Sequence, residues 1–214
     1  MNEFTTILKN EMAEIVEKKS KFIANIFYVE NVEEAEAKVK EVKRKYYDAK
    51  HNCIAYRVIE NGRIVEKSSD DGEPSGTAGG PMLNILQKNN LCNLVVIVTR
   101  YFGGILLGTG GLVRAYSEAT QKAIEKSIKV SKIEGIEIQV RVDYAKLDAF
   151  KYYCRNNEID IVKIEYKEDI VLKIEMEKSR KNFFLKNIET KTLNIKEYQV
   201  IQEKYITKTV EKNK

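Results

Sequence analysis

The glycines of this 214-residue chain are gathered in one stretch, and this feature most limits how the chain can fold. Nine of the 11 glycines lie between Gly72 and Gly111, and both prolines lie among them. Positions 74–117 contain no Asp or Glu, although the chain average of 32 acidic residues in 214 would place about six or seven there. Glycine-rich backbone without carboxylates is typical of an anion-receptive surface. Alternatively, the glycines only permit tight turns, and a buried strand at 94–98 excludes charge.

Two glycine-rich segments carry the candidate anion-binding residues. The first glycine loop is SSDDGEPSGTAGGP at 68–81. The second glycine loop is GGILLGTGG at 103–111, with Thr109 as the predicted N-cap of a following helix. This loop has the GxxxxG spacing of a P-loop, but Thr109 stands where that motif requires Lys, so the loop does not predict a Walker-type NTPase. The candidate ligands of a phosphate, carboxylate or nucleic acid are Ser75, Gly76, Thr77, Arg100, Gly103, Gly104, Thr109, Gly110, Gly111 and Arg114.

Arg114 has two interpretations. It lies in the first turn of the predicted helix, where its planar guanidinium could bind the same anion as the free amides of that turn. The structural alternative is an ion pair with one of the acids of the first glycine loop, which are Asp70, Asp71 and Glu73.

His51 is the only histidine of the chain and therefore the natural general base at neutral pH. A lone His is more often a structural residue held by hydrogen bonds, so both roles stay open. Cys53 shares its strand face, which allows a Cys–His nucleophile pair, but the strand pattern predicts an inward and inert thiol. A catalytic cleft between the two glycine loops would bring together His51, Asp70, Asp71, Glu73 and Tyr101.

The acidic residues of the first glycine loop also raise the question of a metal. Carboxylates on a loop can bind Mg²⁺ or Ca²⁺, but the spacing here does not fit an EF-hand. Such residues more often cap turns or neutralise arginines. We therefore predict no metal site, and we predict no cofactor.

The front part of the chain alternates strand and helix patterns. Asn61-Gly62 predicts a two-residue hairpin turn, and Asn31 followed by Glu34 resembles a capping box. Strands are predicted over 12–17, 21–29, 51–59, 63–67 and 94–100, and helices over 32–47, 82–89 and 112–129.

The back part of the chain has the element order β-α-β-β-α-β of a ferredoxin-like fold. The predicted elements are a strand at 136–142, a helix at 145–156, strands at 159–166 and 170–176, a helix opened by Ser179 and a strand at 193–206. Its polar strand face lacks the stacking aromatics of an RNA-recognition motif. We predict an α+β protein with two domains, at 1–132 and 133–214.

Composition narrows the class of protein further. The net charge of +5 is spread over the chain, with no basic block typical of a nucleic-acid tail or a membrane anchor. Acidic residues interrupt the N-terminus where a signal peptide needs an apolar run, and no stretch is long and apolar enough to span a bilayer. Three widely spaced cysteines form no CxxC pair. These features predict a reduced, cytoplasmic protein without a membrane partner.

Four segments together resemble the IMPACT/YigZ family. They are SKFIA (20–24), HNCIAY (51–56), SSDDGEPSGTAGGP (68–81) and VTRYFGGILLGTGGLVRAY (98–116). The resemblance covers roughly residues 15–130, and the back part is similar to the C-terminal domain of bacterial members. It implies an N-terminal ribosomal-protein-like domain similar to domain IV of elongation factor G, followed by a domain similar to the last domain of that factor. It supplies no catalytic residues.

The resemblance also gives an expectation for function. Eukaryotic members of the family regulate translation under amino-acid starvation, so we expect a non-enzymatic translation regulator that binds RNA, the ribosome or a translation factor. The eukaryotic N-terminal extension that binds a translational activator is absent from this sequence. The alternatives are an enzyme acting on a small phosphorylated or carboxylated substrate in the cleft, and a protein-interaction module in which the glycine loops only shape the fold.

Overall fold

The computed structural model describes residues 3–208. Contacts divide the chain into two compact units, one covering residues 3–130 and the other beginning at Ser131. The mixed α and β content confirms the predicted α+β class.

The first unit begins with a short strand that the sequence pattern did not predict. This strand, β1 (Glu3–Ile7), is held by the segment before β6, where the amide of Cys92 donates to the carbonyl of Thr5 at 2.9 Å. The elements that follow are β2 (Glu11–Glu17), β3 (Ser20–Tyr28), α1 (Val32–Lys45), β4 (His51–Glu60), β5 (Arg63–Ser69), α2 (Gly79–Lys88), β6 (Leu94–Tyr101) and α3 (Gly108–Lys126).

Five of these strands form one antiparallel sheet in the order β2-β3-β6-β4-β5. Helix α1 covers one face, against Val95 and Ile97 of β6. Helices α2 and α3 cover the other, against Val96 and Val98. Because both faces are covered, β6 is apolar at consecutive positions rather than at alternate ones.

Local signals placed several element ends correctly. The side chain of Asn31 accepts a hydrogen bond from the amide of Glu34 at 2.8 Å and caps α1, as predicted. Asn61 and Gly62 have left-handed φ angles of 50° and 75° and form the predicted hairpin turn. Helices α2 and α3 begin three and four residues earlier than predicted, for reasons that lie in the glycine loops.

The second unit has the predicted ferredoxin-like order. Its elements are β7 (Lys129–Val142), α4 (Leu147–Asn156), β8 (Asp160–Tyr166), β9 (Ile170–Glu177), α5 (Lys181–Glu189) and β10 (Ile195–Thr207). These strands are ordered β8-β9-β7-β10 and pair antiparallel. Phe150 of α4 and Phe184 of α5 pack with Ile138 and Leu172 in the core. Strand β7 begins before residue 131, so the division between the units falls within a strand.

Candidate functional site

The candidate residues gather at one end of the first unit's sheet. Strand β6 ends at Tyr101, where Arg100 lies opposite His51 at the start of β4 and Tyr101 lies opposite Lys21 near the start of β3. The β2–β3 turn is therefore at this end too. The Asn61-Gly62 turn lies at the far end of β4.

Asp70 caps helix α2 from outside the helix. Its Oδ1 accepts the amides of Ala78 and Gly79 at 3.0 and 2.9 Å, and its Oδ2 accepts the amide of Gly76 at 2.8 Å. Partial burial raises the pKa of Asp70, but the three backbone donors outweigh burial and leave the pKa below its ordinary value. This cap explains why α2 begins at Gly79, before the predicted residue 82.

Asp71 ties the first glycine loop to β4 and α1. Its carboxylate accepts the amide of Asn52 at 2.8 Å and pairs with Nζ of Lys43 at 2.6 Å. The carbonyl of Asp71 accepts a hydrogen bond from Nδ1 of His51 at 2.9 Å. A carbonyl can only accept, so this contact requires a proton on Nδ1, and in the neutral imidazole Nε2 of His51 is then the acceptor nitrogen.

Glu73 is buried and pairs with Arg100. Nη1 of Arg100 lies 2.7 Å from Oε1 and 3.0 Å from Oε2 of Glu73, and the Tyr116 hydroxyl donates to Oε1 at 2.8 Å. Burial, followed by the neighbouring Cys53 thiol and the Glu73 carboxylate, raises the pKa of Tyr116. The structural ion pair considered for Arg114 is thus formed by Arg100 instead.

Arg100 is enclosed as well as paired. Its guanidinium carbon lies 5.5 Å from the ring centroids of both Phe22 and Phe102. Nη2 reaches Oγ of Ser20 at 3.5 Å, and Ser20 also accepts the amide of Gly103 at 3.1 Å. Nε is buried and has no hydrogen-bond partner among the described residues. Arg100 therefore joins the first glycine loop to the backbone of the second.

The amides of the first glycine loop are used internally. The Gly76 amide is bound to Asp70, and the Thr77 amide and hydroxyl both donate to the carbonyl of Pro74, at 3.1 and 2.6 Å. Ser75 is exposed, whereas Thr77 is buried. Gly76 and Thr77 thus serve the loop's own conformation, and they do not present donors to an external anion in this structure.

Cys53 is inward and inert, as predicted. Its thiol is buried and donates to the carbonyl of Asp70 at 2.9 Å. Burial raises the pKa of the Cys53 thiol to about 12, and nearby acidic residues add to this rise. A thiol with this pKa stays protonated at neutral pH. The Cys–His nucleophile pair is therefore not formed, since His51 bonds Asp71 instead.

The start of α3 differs from the prediction. The helix begins at Gly108, Leu107 holds the N-cap position, and no side chain caps the helix. The predicted N-cap role of Thr109 is wrong because Gly108, with a left-handed φ of 69°, already turns the chain into the helix. Thr109 instead lies, exposed, in the first turn, together with Gly110 and Gly111. The first-turn amides are left without a side-chain acceptor.

Arg114 is exposed on α3, one turn after Gly110. Its Nη1 would lie 3.7 Å from a Cβ placed on Gly110, so the guanidinium lies along the helix toward its N-terminus. Arg114 makes no ion pair with another residue of the described range. It is therefore free to bind an external anion.

The β2–β3 turn packs against the second glycine loop, a contact that the sequence did not predict. A Cβ on Gly103 would lie 2.0 Å from the carbonyl carbon of Lys19, so only glycine fits there. Lys18 and Lys19 form this turn with left-handed φ angles of 44° and 66°, and both are exposed. The only signal in the sequence was the pair of adjacent lysines between two predicted strands.

A cleft of about 320 Å³ lies beside the second glycine loop. His51 and Tyr101, two of the five predicted cleft residues, line it, whereas Asp70, Asp71 and Glu73 do not. The cleft thus opens between the α1–β4 connection and the second glycine loop. Its lining residues are Asp48, Lys50, His51, Arg100, Tyr101, Phe102 and Leu106.

Sequence comparison decides the family. Residues 18–124 match the Impact N-terminal domain, and residues 140–190 match a domain of unknown function, DUF1949. The IMPACT family member YvyE of Bacillus subtilis is 35% identical over 184 residues, which are 86% of this chain and 84% of that protein. The chain belongs to the IMPACT family. The glycine loops of this IMPACT-family chain both lie within its Impact N-terminal domain.

This chain is also similar to other relatives and solved structures. The IMPACT family member YigZ of Escherichia coli is 34% identical over 73% of this chain and 78% of its own. The crystal structure of a hypothetical protein, 29% identical, covers 94% of this chain and 98% of its own with a TM-score of 0.63. The structure of the two-domain translational regulator Yih1 covers 57% of this chain and 47% of its own at 25% identity, with a TM-score of 0.36.

Among residues 3–208, no helix is both long and apolar enough to cross a bilayer. The same residues contain no group of three His, Cys, Asp or Glu side chains arranged to hold a metal ion.

Proposed function

We propose that this IMPACT-family protein regulates translation by binding RNA on the ribosome with one surface of its first unit. We call this the amide surface, and it comprises the β2–β3 turn, the second glycine loop and the first turns of α3. Its polar groups are the free amides at the start of α3 and the side chains of Lys18, Lys19 and Arg114. The expectation of a role in translation comes from the family resemblance.

One observation supports an anionic partner such as RNA: the carboxylates of the first glycine loop are all bound within the protein, so they do not compete for the cations and free amides of the amide surface. Asp70 is occupied by the amides of α2, Asp71 by Lys43 and Asn52, and Glu73 by Arg100 and Tyr116. A phosphate backbone is the polyanion that such a surface accommodates, because helix N-termini and arginines both bind phosphate.

Ribosome binding and salt dependence test the proposal together. We expect the protein to co-sediment with ribosomal particles and to bind a ribosomal RNA fragment. The slope of log affinity against log salt is about −0.7 for each phosphate neutralised on a single strand. The three cations of the amide surface therefore contribute about −2 to this slope.

The same experiment identifies the competing partner. Affinity for ribosomal particles that does not change with salt would contradict phosphate contact and would indicate a protein partner instead. If the protein binds neither ribosomal particles nor the RNA fragment, the proposal as a whole is contradicted.

A further inference from the structure

We infer that the cleft beside the second glycine loop binds one unpaired nucleotide, with its base stacked on Phe102 and its phosphate on Lys50. This inference deepens the proposed function, because it names the part of an RNA that the first unit would take. The contacts of the lining residues carry it.

Phe102 supplies a stacking face that is held in place from below. Its side chain is 57% exposed, although it is a large aromatic group next to a buried strand. The guanidinium of Arg100 lies 5.5 Å from its ring centroid, and Arg100 is itself fixed by Glu73 and by the ring of Phe22. A ring supported in this way loses little conformational entropy when a base stacks on it.

The polar lining offers both a cation and acceptors. Lys50 is exposed and makes no ion pair with the described residues, so it can bind a phosphate. Nε2 of His51 is an acceptor because Nδ1 donates to the carbonyl of Asp71. The Tyr101 hydroxyl donates to Asp48 at 2.7 Å, and this bond raises the pKa of Tyr101 to about 12. The hydroxyl thus stays a donor, and it fixes the Asp48 carboxylate as a second acceptor for base N–H groups.

The volume and the mixed lining of the cleft fit a nucleotide better than a simple anion. A volume of about 320 Å³ is at the lower end of the range for small-ligand sites, roughly 300–1,000 Å³. A bare phosphate or carboxylate would use Lys50 and leave the exposed faces of Phe102 and Leu106 unused. A base within a duplex has both faces stacked and cannot reach Phe102, so the nucleotide has to be unpaired.

The absence of tryptophan from the sequence makes a direct experiment available. Phe102→Trp introduces one tryptophan that keeps the stacking face and reports contact with a base by quenching of its fluorescence. Phe183→Trp is the matched control, because Phe183 is 60% exposed and lies in the second unit. The probes are AMP, a single-stranded adenine hexanucleotide, a duplex RNA and inorganic phosphate.

We expect saturable quenching of Phe102→Trp by the hexanucleotide and none by the duplex or by inorganic phosphate. Quenching by the hexanucleotide and not by AMP would show that the bound nucleotide belongs to an RNA strand. Equal quenching by AMP would show that the cleft takes a free nucleotide. Both results support the site. No quenching by either nucleotide probe, or the same quenching in Phe183→Trp, overturns the inference.

Affinity changes give the second readout. Phe102→Ala should bind the hexanucleotide with roughly 5- to 150-fold weaker affinity, because it loses the stacking of one base. Phe183→Ala should leave that affinity unchanged. If Phe102→Ala binds RNA as the wild type does, with the salt slope retained, the cleft inference fails and the proposed function stands. If AMP quenches Phe102→Trp and RNA does not bind, the proposed function fails and the cleft stands.

Discussion

Arg100 and Glu73 form a buried ion pair across 27 positions of sequence, with Nη1 of Arg100 2.7 Å from Oε1 of Glu73. The pair fixes the first glycine loop to the end of β6. Neighbouring side chains hold both partners in place: the Tyr116 hydroxyl donates to the same carboxylate, and two aromatic rings enclose the guanidinium. The positions of both glycine loops depend on this contact.

Removing one partner of this pair should destabilise the protein strongly. Glu73→Ala leaves the Arg100 charge buried without a counter-ion, which costs about 3–5 kcal/mol of unfolding free energy. The matched control is Glu118→Ala, since Glu118 forms an exposed ion pair with Lys122 on α3. Breaking that pair should cost under about 1 kcal/mol. Urea unfolding of both variants measures the difference, and equal midpoints would contradict a structural role for the pair.

The cap on α2 should make stability depend on pH through Asp70. The folded-state pKa of Asp70 lies below its ordinary value of 3.8, so its stabilising contribution is complete above about pH 5. That contribution is lost as the pH falls below 3.8 through the lower folded pKa. Asp70→Asn should reduce stability at pH 7 by about 1–2 kcal/mol and by much less at pH 2. Urea unfolding at both pH values tests this, and a loss that is equal at the two values would contradict the cap.

Two glycines of the same region should respond oppositely to alanine. A Cβ at position 103 would lie 2.0 Å from the Lys19 backbone, so Gly103→Ala should cost about 2–4 kcal/mol. Gly110 is helical, and only Nη1 of Arg114 lies near its Cβ position, at 3.7 Å. Gly110→Ala should therefore be neutral or stabilise the protein by up to about 1 kcal/mol. Thermal unfolding of both variants measures this, and a stable Gly103→Ala would show that the β2–β3 turn does not pack on the loop.

Helix caps, turns and element types that are set by residues close in sequence could be predicted from the sequence. The Asn31 cap and the Asn61-Gly62 turn rest on spacing within a few residues. The ferredoxin-like order follows from the succession of element types, each of which has its own local periodicity. The start of α3 could not be predicted from sequence, because it depends on the left-handed φ of Gly108, which turns the chain into the helix. Packing of Leu112 and Ala115 in the core then outweighs the low helix propensity of the neighbouring glycines.

The site was predictable only as a region. The sequence points to His51, Tyr101 and the second glycine loop, and the structure brings these together. The partner of Glu73 depends on the register that sets Arg100 opposite His51, and no local pattern reports that register. Lys18, Lys19 and Lys50 were missed because lysines are common on every surface, and Phe102 was missed because an aromatic residue after a strand is normally assigned to the core.

Arg114 should contribute to affinity and not to folding. Arg114→Ala should weaken binding of a ribosomal RNA fragment by about 1.5–3 kcal/mol, the range for a hydrogen bond to a charged group. Its exposure predicts little change in melting temperature. Arg114→Lys should recover only part of the affinity, since an ammonium cannot reproduce the planar fork.

The control for Arg114 is Arg63→Ala. Arg63 is exposed in the same unit, but it follows the hairpin turn at the far end of β4. Its removal should leave both affinity and stability unchanged. A large loss of stability in Arg114→Ala, with affinity unchanged at matched folded fraction, would remove Arg114 from the amide surface.

The salt dependence of RNA binding in the triple variant Lys18→Gln, Lys19→Gln, Arg114→Ala tests the central claim most directly. The wild-type protein and the Arg63→Ala control should share one slope of log affinity against log salt, to which the three cations of the amide surface contribute about −2. The triple variant should keep its melting temperature and have a slope shallower by about 2, since each cation removed takes away about 0.7. A triple variant with the wild-type slope would contradict the claim that the amide surface binds RNA.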